Sequence, residues 1–305
     1  MVTDFISLAD FSGEELLAFL DLADDLKVQK RDGIPHPLLE GKTLALIFEK
    51  PSLRTRLTFQ VGMYQLGGAT QLIDTRLGER ESVADVARNL ERWVDGIMAR
   101  TFDHDHVIEL AEAASIPVIN ALTDKLHPCQ ILADVQTLRE HKGQDLSSLK
   151  VAFVGDGNNV FHSWANFISR VPLNLTLVCP AGYEGAPEIV ERAKADTKAE
   201  FHITQDPEEG LKDADAVYTD VWASMGQEEE AAERAKVFAP YQVNRALLAL
   251  AKKDAIFMHC LPAQRGSEVT AEVIDGPASV CFDQAENRLH AQKAVLATLL
   301  GNASR

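Results

Sequence analysis

The sequence predicts an α/β protein made of two doubly wound parallel-sheet domains, with a C-terminal helix that returns to the first domain. Three observations favour this fold. The chain has 305 residues, which suits two domains of roughly 100–200 residues each. Short apolar segments alternate with helix-like stretches, a pattern typical of parallel sheets with right-handed crossovers. With 46% hydrophobic and 25% charged residues, the chain also has enough apolar material for two cores.

The first domain is predicted to begin with a helix. Ser12 and Glu15 form a capping box at the start of a helix that runs to Lys27. The segment 43–49, TLALIFE, is apolar and is bounded by glycine and proline, as expected of a buried parallel strand. A second helix should extend from about Leu53 to a pair of glycines. Further apolar strands are predicted at 96–99, 117–120, 151–155, 174–179, 216–220 and 255–259.

The domain boundaries follow from the positions of these strands. We predict one domain over 1–135, a second over 136–285 and a terminal helical segment over 286–305. A helix over 128–141 would join the domains, and the amphipathic stretch 286–300 would pack back on the first. Ligands of open α/β sheets bind beyond the carboxyl ends of the strands. Motifs at those ends therefore carry the functional argument.

The charge balance excludes several classes of partner. The chain has 30 Lys and Arg and 46 Asp and Glu, which gives a formal net charge of −16. This acidic balance disfavours binding to nucleic acid or to anionic membranes. No apolar run approaches the ~20 residues of a membrane span, and the N-terminus lacks the features of a secretory signal. The four cysteines show no C-x-x-C spacing, which disfavours zinc. We expect a soluble, cytoplasmic protein without metal or cofactor.

The first motif, 48–56 (FEKPSLRTR), joins a strand end to a helix start. Ser52 occupies the expected N-cap position, and free backbone N–H groups at a helix N-terminus form a natural phosphate site. Hydroxyl groups and Arg54 would complete a cradle for a dianion. On the residues alone, an ordinary capped helix with exposed arginines is an equally good interpretation.

Two further residues point to the same sheet edge. His127, in the sequence HPCQ, follows a strand and loop and could donate a hydrogen bond to a polarised carbonyl. Taken alone, a histidine before a proline is more often a capping or surface residue. Arg100 closes the strand 96–99, although it could equally pair with one of the many acidic residues.

The segment 151–159 (VAFVGDGNN) suggests a dinucleotide-binding turn, but it departs from that pattern. The fingerprint G-x-G-x-x-G/A requires a small residue where this chain has Val160. The next strand ends in Cys-Pro, whereas NAD-binding folds place there an acid that binds the ribose. We interpret the segment as a binding turn that offers amides and asparagine side chains, without NAD.

Two loops near the ends of later strands carry reactive groups. The segment 220–228 (DVWASMGQE) presents a carboxylate and a serine, although it could be only an acidic connection. The segment 259–262 (HCLP) places Cys260 at a strand end, where a thiol could meet an amine. Free cysteines are usually buried and inert. A Cys–His hydrolase would need a base and an orienting acid placed around Cys260. The sequence does not show that arrangement.

Taken together, these segments resemble the ornithine carbamoyltransferase family, within the aspartate/ornithine carbamoyltransferase superfamily. The resemblance covers essentially the whole chain, with five motifs in register. The matching segments are 52–56, similar to Ser-Thr-Arg-Thr-Arg with Leu53 in second place; 127–130, similar to His-Pro-x-Gln; 220–226, similar to Asp-x-x-x-Ser-Met-Gly; 259–262, similar to His-Cys-Leu-Pro; and 285–288, similar to the final Arg-bearing motif.

The resemblance implies transfer of the carbamoyl group of carbamoyl phosphate to the δ-amine of L-ornithine, giving citrulline and phosphate in arginine biosynthesis. It implies a carbamoyl phosphate-binding domain, an amino acid-binding domain and a homotrimer with shared active sites. The implied catalytic residues are Arg100, His127, Asp220 and Cys260. Carbamoyl phosphate would be bound by Ser52, Leu53, Arg54, Thr55, Arg76, Arg100, His127, Gln130, Cys260, Leu261 and Arg288. Ornithine would be bound by Asn159, Asp220, Ser224 and Met225.

Two positions depart from the family pattern. Arg76 stands where many relatives have Gln or His, on a loop that in the family reaches the phosphate of a neighbouring subunit. An arginine there should strengthen that contact. The Cys-Leu-Pro motif is followed by Ala263 and Gln264, so that the arginine is displaced to Arg265.

Other functions stay open on the sequence alone. The amine could be N-acetylornithine, N-succinylornithine, putrescine or aspartate, although the Ser-Met-Gly loop favours plain ornithine. An NAD-dependent dehydrogenase is disfavoured by the missing third glycine and ribose-binding acid. A catalytically silent relative is disfavoured because Arg100, His127, Cys260 and Arg288 are all present.

Overall fold

The computed structural model describes residues 4–223 and 228–301. The chain divides into two compact units: unit 1 comprises Met1–Ala133 and Glu286–Arg305, and unit 2 comprises Asp134–Ala285. Among the described residues, none of the helices combines the length and apolar composition that a membrane span requires.

Each unit contains one parallel sheet. Unit 1 has four strands in the order β2-β1-β3-β4, and unit 2 has five in the order β7-β6-β5-β8-β9. All neighbouring strands are parallel. The strands are β1 (Thr43–Phe48), β2 (Ala69–Asp74), β3 (Gly96–Arg100), β4 (Val118–Leu122), β5 (Lys150–Val154), β6 (Asn174–Val178), β7 (Phe201–Thr204), β8 (Ala216–Thr219) and β9 (Ile256–His259).

Helices connect the strands in both units, as parallel pairing requires. They are α1 (Gly13–Arg31), α2 (Leu53–Gln65), α3 (Val83–Leu90), α4 (His104–Ala113), α5 (Pro128–Lys142), α6 (Asn159–Ile168), α7 (Pro187–Asp196), α8 (Pro207–Leu211), α9 (Ala231–Phe238), α10 (Arg245–Leu248), α11 (Ala271–Ile274) and α12 (Cys281–Gly301). The predicted fold class is confirmed.

Local sequence explains the best-predicted elements. The capping box at the start of α1 is present, with Ser12 accepting from the backbone of Glu15 and Glu15 accepting from that of Ser12. In β1, every residue after Thr43 is buried, because helices cover both faces of a parallel sheet. Strands β2 and β7 were absent from the prediction. Both lie at sheet edges, where partly exposed polar residues interrupt the apolar run.

Helix α12 packs on unit 1 through a buried lysine. Lys293 Nζ donates to the carbonyl of Leu26 at 3.4 Å and to Gln65 at 3.1 Å, and it lies 3.0 Å from Nε2 of His36. Burial lowers the pKa of Lys293 to about 8, and the charge of Lys30 adds to this effect. The predicted return of the C-terminal helix to the first domain is confirmed, although the helix begins at Cys281 rather than at residue 286.

Candidate active site

In unit 1, the first motif lies at the junction of β1 and α2. Ser52 is the N-cap of α2, in an extended conformation, and its side chain makes no capping bond to the described backbone. The predicted N-cap is therefore correct in position, while the hydroxyl stays available for another acceptor or donor. Leu53, the first residue of α2, has a side chain that is exposed to solvent, with 71% of the residue accessible. Its contribution to an anion site would therefore be the backbone N–H and not the side chain. Such an N-terminus favours an anion.

Thr55 is the centre of a buried polar cluster in unit 1. Its hydroxyl accepts hydrogen bonds from Arg100 Nη1 at 3.2 Å and from Arg288 Nη2 at 3.3 Å. Arg288 Nη1 also donates to Gln130 Oε1 at 2.6 Å. Thr55, Gln130 and Arg288 are all nearly inaccessible to solvent. We call these four residues, together with His127, the Thr55 group.

Four different elements position the members of the Thr55 group, with Thr55 on α2 and His127 directly before α5. Arg100 ends β3, directly beside Phe48 at the end of β1. Gln130 lies in the first turn of α5, and Arg288 lies on α12, more than 150 residues further along the chain. A buried cation is tolerated only when it is paired or hydrogen-bonded. The buried guanidinium of Arg288 and the partly buried one of Arg100 share one neutral hydroxyl, so they form a site suited to an anionic ligand.

His127 is held neutral within the same cluster. Its side chain is buried, and burial lowers the pKa of the imidazole well below its usual value. The positive charges of Arg288, Arg100 and Arg54 lower it further, which also places the charge of Arg54 near the cluster. At neutral pH, His127 can therefore donate one hydrogen bond as an uncharged imidazole, but it carries no spare proton for acid catalysis.

Arg76 is not among the contacts of the Thr55 group. It lies on the loop between β2 and α3, and its side chain is 65% exposed and forms an ion pair with Glu79 at 3.4 Å. Within residues 4–223 and 228–301, no contact joins Arg76 to Thr55, Arg100 or His127. A position this open is compatible with a partner outside the chain.

In unit 2, Asp220 and Cys260 lie at the ends of two neighbouring strands, β8 and β9. The thiol of Cys260 donates to Asp220 Oδ1 at 3.0 Å. The other carboxylate oxygen of Asp220 accepts from Asn158 Nδ2 at 2.8 Å, and Oδ1 also accepts from the backbone of Val221 at 2.8 Å. These three donors stabilise a buried carboxylate. Asp220 and Cys260 therefore form one polar site, as their strand positions indicated.

His259 stabilises the backbone next to Cys260. Its Nδ1 accepts from the backbone N–H of Leu261 at 2.9 Å, so the ring proton is assigned to Nε2, which lies 3.2 Å from Glu268 Oε1. Both side chains are fully buried. Leu261 has a φ of 58°, a left-handed conformation that a leucine adopts only when its surroundings enforce it. The His259–Glu268 pair thus fixes the backbone beside Cys260.

The glycine turn after β5 is shaped by a close backbone contact. A Cβ atom on Gly157 would lie 2.4 Å from the backbone nitrogen of Gly185, and Gly157 N donates to the carbonyl of Tyr183 at 2.9 Å. This close backbone contact accounts for a glycine at position 157, so a bound dinucleotide is not needed to explain it. The turn also aligns Asn158, which caps α6 by accepting from the backbone of Val160 at 3.0 Å. Asn158 contacts Asp220, whereas the predicted ligand Asn159 is the first, buried residue of α6.

Arg234 of α9 connects the glycine turn with the chain after Asp220. Its guanidinium donates to Asp156 and to the backbone carbonyl of Trp222, and it lies 5.0 Å from the centre of the Tyr183 ring. Burial raises the pKa of Asp156 to about 6, against the lowering effect of Arg234. Sequence reasoning missed Arg234 and Glu268, because no motif or spacing relates them to their partners. It included Asn158 only as one of the two asparagines of the glycine turn.

Three further residues singled out in the sequence are not part of the clusters described above. Ser224 and Met225 lie outside the described residues. Arg265, the displaced arginine, forms two hydrogen bonds with Asp275, at 3.0 and 2.6 Å, on a half-exposed surface of unit 2.

Asp220, His259 and Cys260 each place a potential metal-ligand atom within 4.8 Å of the others. All three are already joined to protein partners by hydrogen bonds. The sequence expectation of a metal-free site stays a prediction.

Comparison with known proteins matches both parts of the chain to domains of one family. Residues 3–140 match the family model described as the aspartate/ornithine carbamoyltransferase carbamoyl-P binding domain, and residues 147–299 match its Asp/Orn binding domain. The chain is 54% identical to the ornithine carbamoyltransferase of Thermococcus kodakarensis, covering 98% of this chain and 96% of the relative. It is 56% identical to that of Carboxydothermus hydrogenoformans, with 98% and 97% covered.

The solved structures give the same result. The ornithine carbamoyltransferase of Pyrococcus furiosus superposes with a TM-score of 0.95 and 49% identity, covering 100% of both chains. That of Thermus thermophilus superposes with a TM-score of 0.88 and 46% identity, covering 98% of this chain and 99% of the other. The chain therefore belongs to the aspartate/ornithine carbamoyltransferase family, among the ornithine carbamoyltransferases.

Proposed function

We propose that the protein transfers the carbamoyl group of carbamoyl phosphate to the δ-amine of L-ornithine, giving citrulline and phosphate. The observation that carries the proposal is the Thr55 group, in which the buried Arg288, the partly buried Arg100 and a neutral histidine converge. The full-length relatives carry the name ornithine carbamoyltransferase, and one from Pyrococcus furiosus is named anabolic. Ornithine is therefore the amine, and citrulline synthesis for arginine is the direction. N-acetylornithine and putrescine have no such support.

Unit 1 supplies the charge that carbamoyl phosphate requires. The ligand is a dianion, whereas the chain has a net charge of −16, so the attraction has to be local. Ser52 and the backbone of Leu53 would bind the phosphate together with Arg54 at the N-terminus of α2. Thr55, Arg100 and His127 would polarise the carbamoyl oxygen, Gln130 would bind the carbamoyl nitrogen, and Arg288 would complete the pocket.

Unit 2 would bind and activate ornithine. A free side-chain ammonium has a pKa near ~10.4, so it has to lose a proton before it can attack. We propose that ornithine binds second, with Asn159, Asp220, Ser224 and Met225 at its amino-acid end. Its δ-amine would lose a proton beside Cys260, Leu261 and Asp220.

The transfer itself exchanges one bond for another. The lone pair of the δ-amine forms the new C–N bond, and the negative charge that develops on the carbamoyl oxygen is stabilised by Arg100, Thr55 and His127. The C–O bond to phosphate then breaks, and phosphate leaves with the electron pair and takes up the proton that the attacking nitrogen releases. This division of labour corresponds to the predicted boundaries, with carbamoyl phosphate bound by residues 1–135 and ornithine by residues 136–285. Residues 286–305 would complete the first domain.

The reaction and its substrate are tested together by a citrulline-type colorimetric assay. Carbamoyl phosphate is offered with ornithine, N-acetylornithine, N-succinylornithine, putrescine, lysine or aspartate. We expect turnover with ornithine alone, because the two units match carbamoyl phosphate and Asp/Orn binding models. Turnover with another amine would retain the carbamoyl phosphate half and reject the assigned amine. A lack of turnover with every amine would favour a silent relative.

We further propose that the protein acts as a homotrimer in the cytoplasm. Helix α2 presents an apolar stripe to solvent, formed by Leu53, Leu57, Val61 and Tyr64, which are exposed by 71, 50, 38 and 80%. This spacing defines one face of a helix, and exposed apolar patches mark interaction surfaces. The stripe begins in the phosphate-binding motif itself, so a second copy seated on it would lie beside that site. Four free cysteines suit the reducing cytoplasm.

A shared site predicts complementation between two inactive variants. If Arg76 reaches the phosphate of a neighbouring subunit, Arg76→Ala and Arg54→Ala chains should each lose most activity. Mixed trimers of the two should recover part of it, because some sites then contain both arginines. Turnover is measured before and after the two variants are dissociated and reassembled together. Arg88→Ala, which removes an exposed surface arginine, serves as the control, and absent recovery would contradict the shared site.

A further inference from the structure

Glu49 is a buried carboxylate that the mechanism above does not use. It follows β1 directly, and its side chain is only 4% exposed. Burying a carboxylate is costly unless hydrogen bonds compensate for the lost water. Oε1 accepts from the backbone N–H of Leu77 at 2.9 Å, and Oε2 accepts from that of Phe102 at 2.8 Å. Each oxygen therefore holds a different segment of unit 1.

These two segments carry two of the arginines assigned to carbamoyl phosphate. Leu77 directly follows Arg76. Phe102 follows Arg100 by two residues, and the carbonyl of Arg100 also accepts from the backbone N–H of Glu49 at 3.1 Å. Glu49 thus holds the backbone at Arg100 and two residues after it, and the side chain of Arg100 donates to Thr55.

A direct role on the ligand is unsuited to Glu49. Carbamoyl phosphate is a dianion, and a carboxylate beside it would repel it. Both carboxylate oxygens already accept hydrogen bonds from the protein backbone, and Nδ1 of His106 lies 3.6 Å from Oε1. A charged acceptor forms hydrogen bonds about twice as strong as a neutral one, which suits a residue that fixes two loops.

We propose that Glu49 is a positioning residue that sets Arg76 and Arg100 relative to the end of β1 and the start of α2. This inference rests on the proposed function for the identity of the anion. It predicts that the charge and length of Glu49 determine the affinity for phosphate groups, although Glu49 does not contact them.

The test is Glu49→Gln, a substitution of nearly the same shape. The amide keeps one acceptor but places an N–H₂ group against the second backbone N–H, so one segment is released. We expect kcat/KM for carbamoyl phosphate to fall by about 10²-fold, since a displacement of about 1 Å in a positioned group has that effect. The dissociation constant of inorganic phosphate, measured by titration calorimetry, should rise in parallel.

Glu91→Gln is the matched control. Glu91 is also largely buried and joins two segments of unit 1 by accepting from the backbone N–H and the hydroxyl of Ser115, both at 2.8 Å. It lies outside the proposed site, so its loss should lower the melting temperature without changing phosphate affinity. If Glu49→Gln behaves like Glu91→Gln, Glu49 is only structural and the inference is wrong.

Glu49→Asp covers the case in which the glutamine variant fails to fold. The shorter side chain keeps the charge but cannot reach both N–H groups, and we expect it also to weaken phosphate binding. Wild-type affinity for phosphate in a folded aspartate variant would reject the inference. Failure of the proposed function looks different: the wild-type protein would form no citrulline, while phosphate binding would still separate the variants.

Discussion

Replacing Arg100 with alanine is expected to lower kcat by about 10³-fold, because preorganised charge around a developing oxyanion is usually the largest catalytic contribution. The guanidinium of Arg100 donates to Thr55 at 3.2 Å, and the pairing of β3 with β1 fixes its backbone, so little reorganisation accompanies the reaction. The measurement is steady-state turnover of ornithine at saturating carbamoyl phosphate. A loss confined to KM would indicate a role in ground-state binding alone.

Two companion variants make the Arg100 result specific. Arg100→Lys keeps the charge but loses the planar set of donors, and we expect it to restore only a small part of the activity. Arg92→Ala removes an exposed arginine of the same unit that contacts Glu91 at 3.6 Å, and its turnover should match the wild type. Turnover near normal in Arg100→Ala would reject the assigned role of Arg100.

Replacing Gly157 with alanine is expected to have the second largest effect, on stability and on ornithine binding together. The new Cβ would lie 2.4 Å from the nitrogen of Gly185 and 2.6 Å from the carbonyl carbon of Glu184. Both are backbone atoms, so the turn has to move, at a cost of about 1–3 kcal/mol in the free energy of unfolding. Movement of the turn would displace Asn158 from Asp220, and KM for ornithine should rise by about 10²-fold.

Gly62→Ala provides the control for Gly157→Ala. Its nearest neighbour would be Cγ of the buried Lys293 side chain at 3.3 Å, and all three nearest atoms belong to side chains rather than to backbone. Alanine also favours a helix over glycine by about 1 kcal/mol. We expect a nearly unchanged free energy of unfolding, measured by urea denaturation, and an unchanged KM for ornithine. The same KM in Gly157→Ala would show that the glycine turn does not help to position the ornithine site.

The sequence alone determined the fold class and the central strands. Strands such as β1 are buried on both faces and give continuous apolar runs, and the box around Ser12 marks the start of α1. The edge strands β2 and β7 escaped prediction, because one side of an edge strand lacks a neighbour and tolerates polar residues. The sequence also proposed Thr55, Arg100, His127, Asp220 and Cys260 as site residues, since each lies in a motif at the end of a strand or at the start of a helix.

Only the tertiary structure decided how these residues act on one another. Arg288 and Thr55 are separated by 233 positions and share a hydrogen bond, and no local pattern predicts such a pair. The neutrality of His127 depends on burial and on three arginines from distant segments. The supporting roles of Glu49, Glu268 and Arg234 could not be predicted for the same reason. A buried charged residue acquires its partners through tertiary packing, and local sequence spacing does not specify that packing.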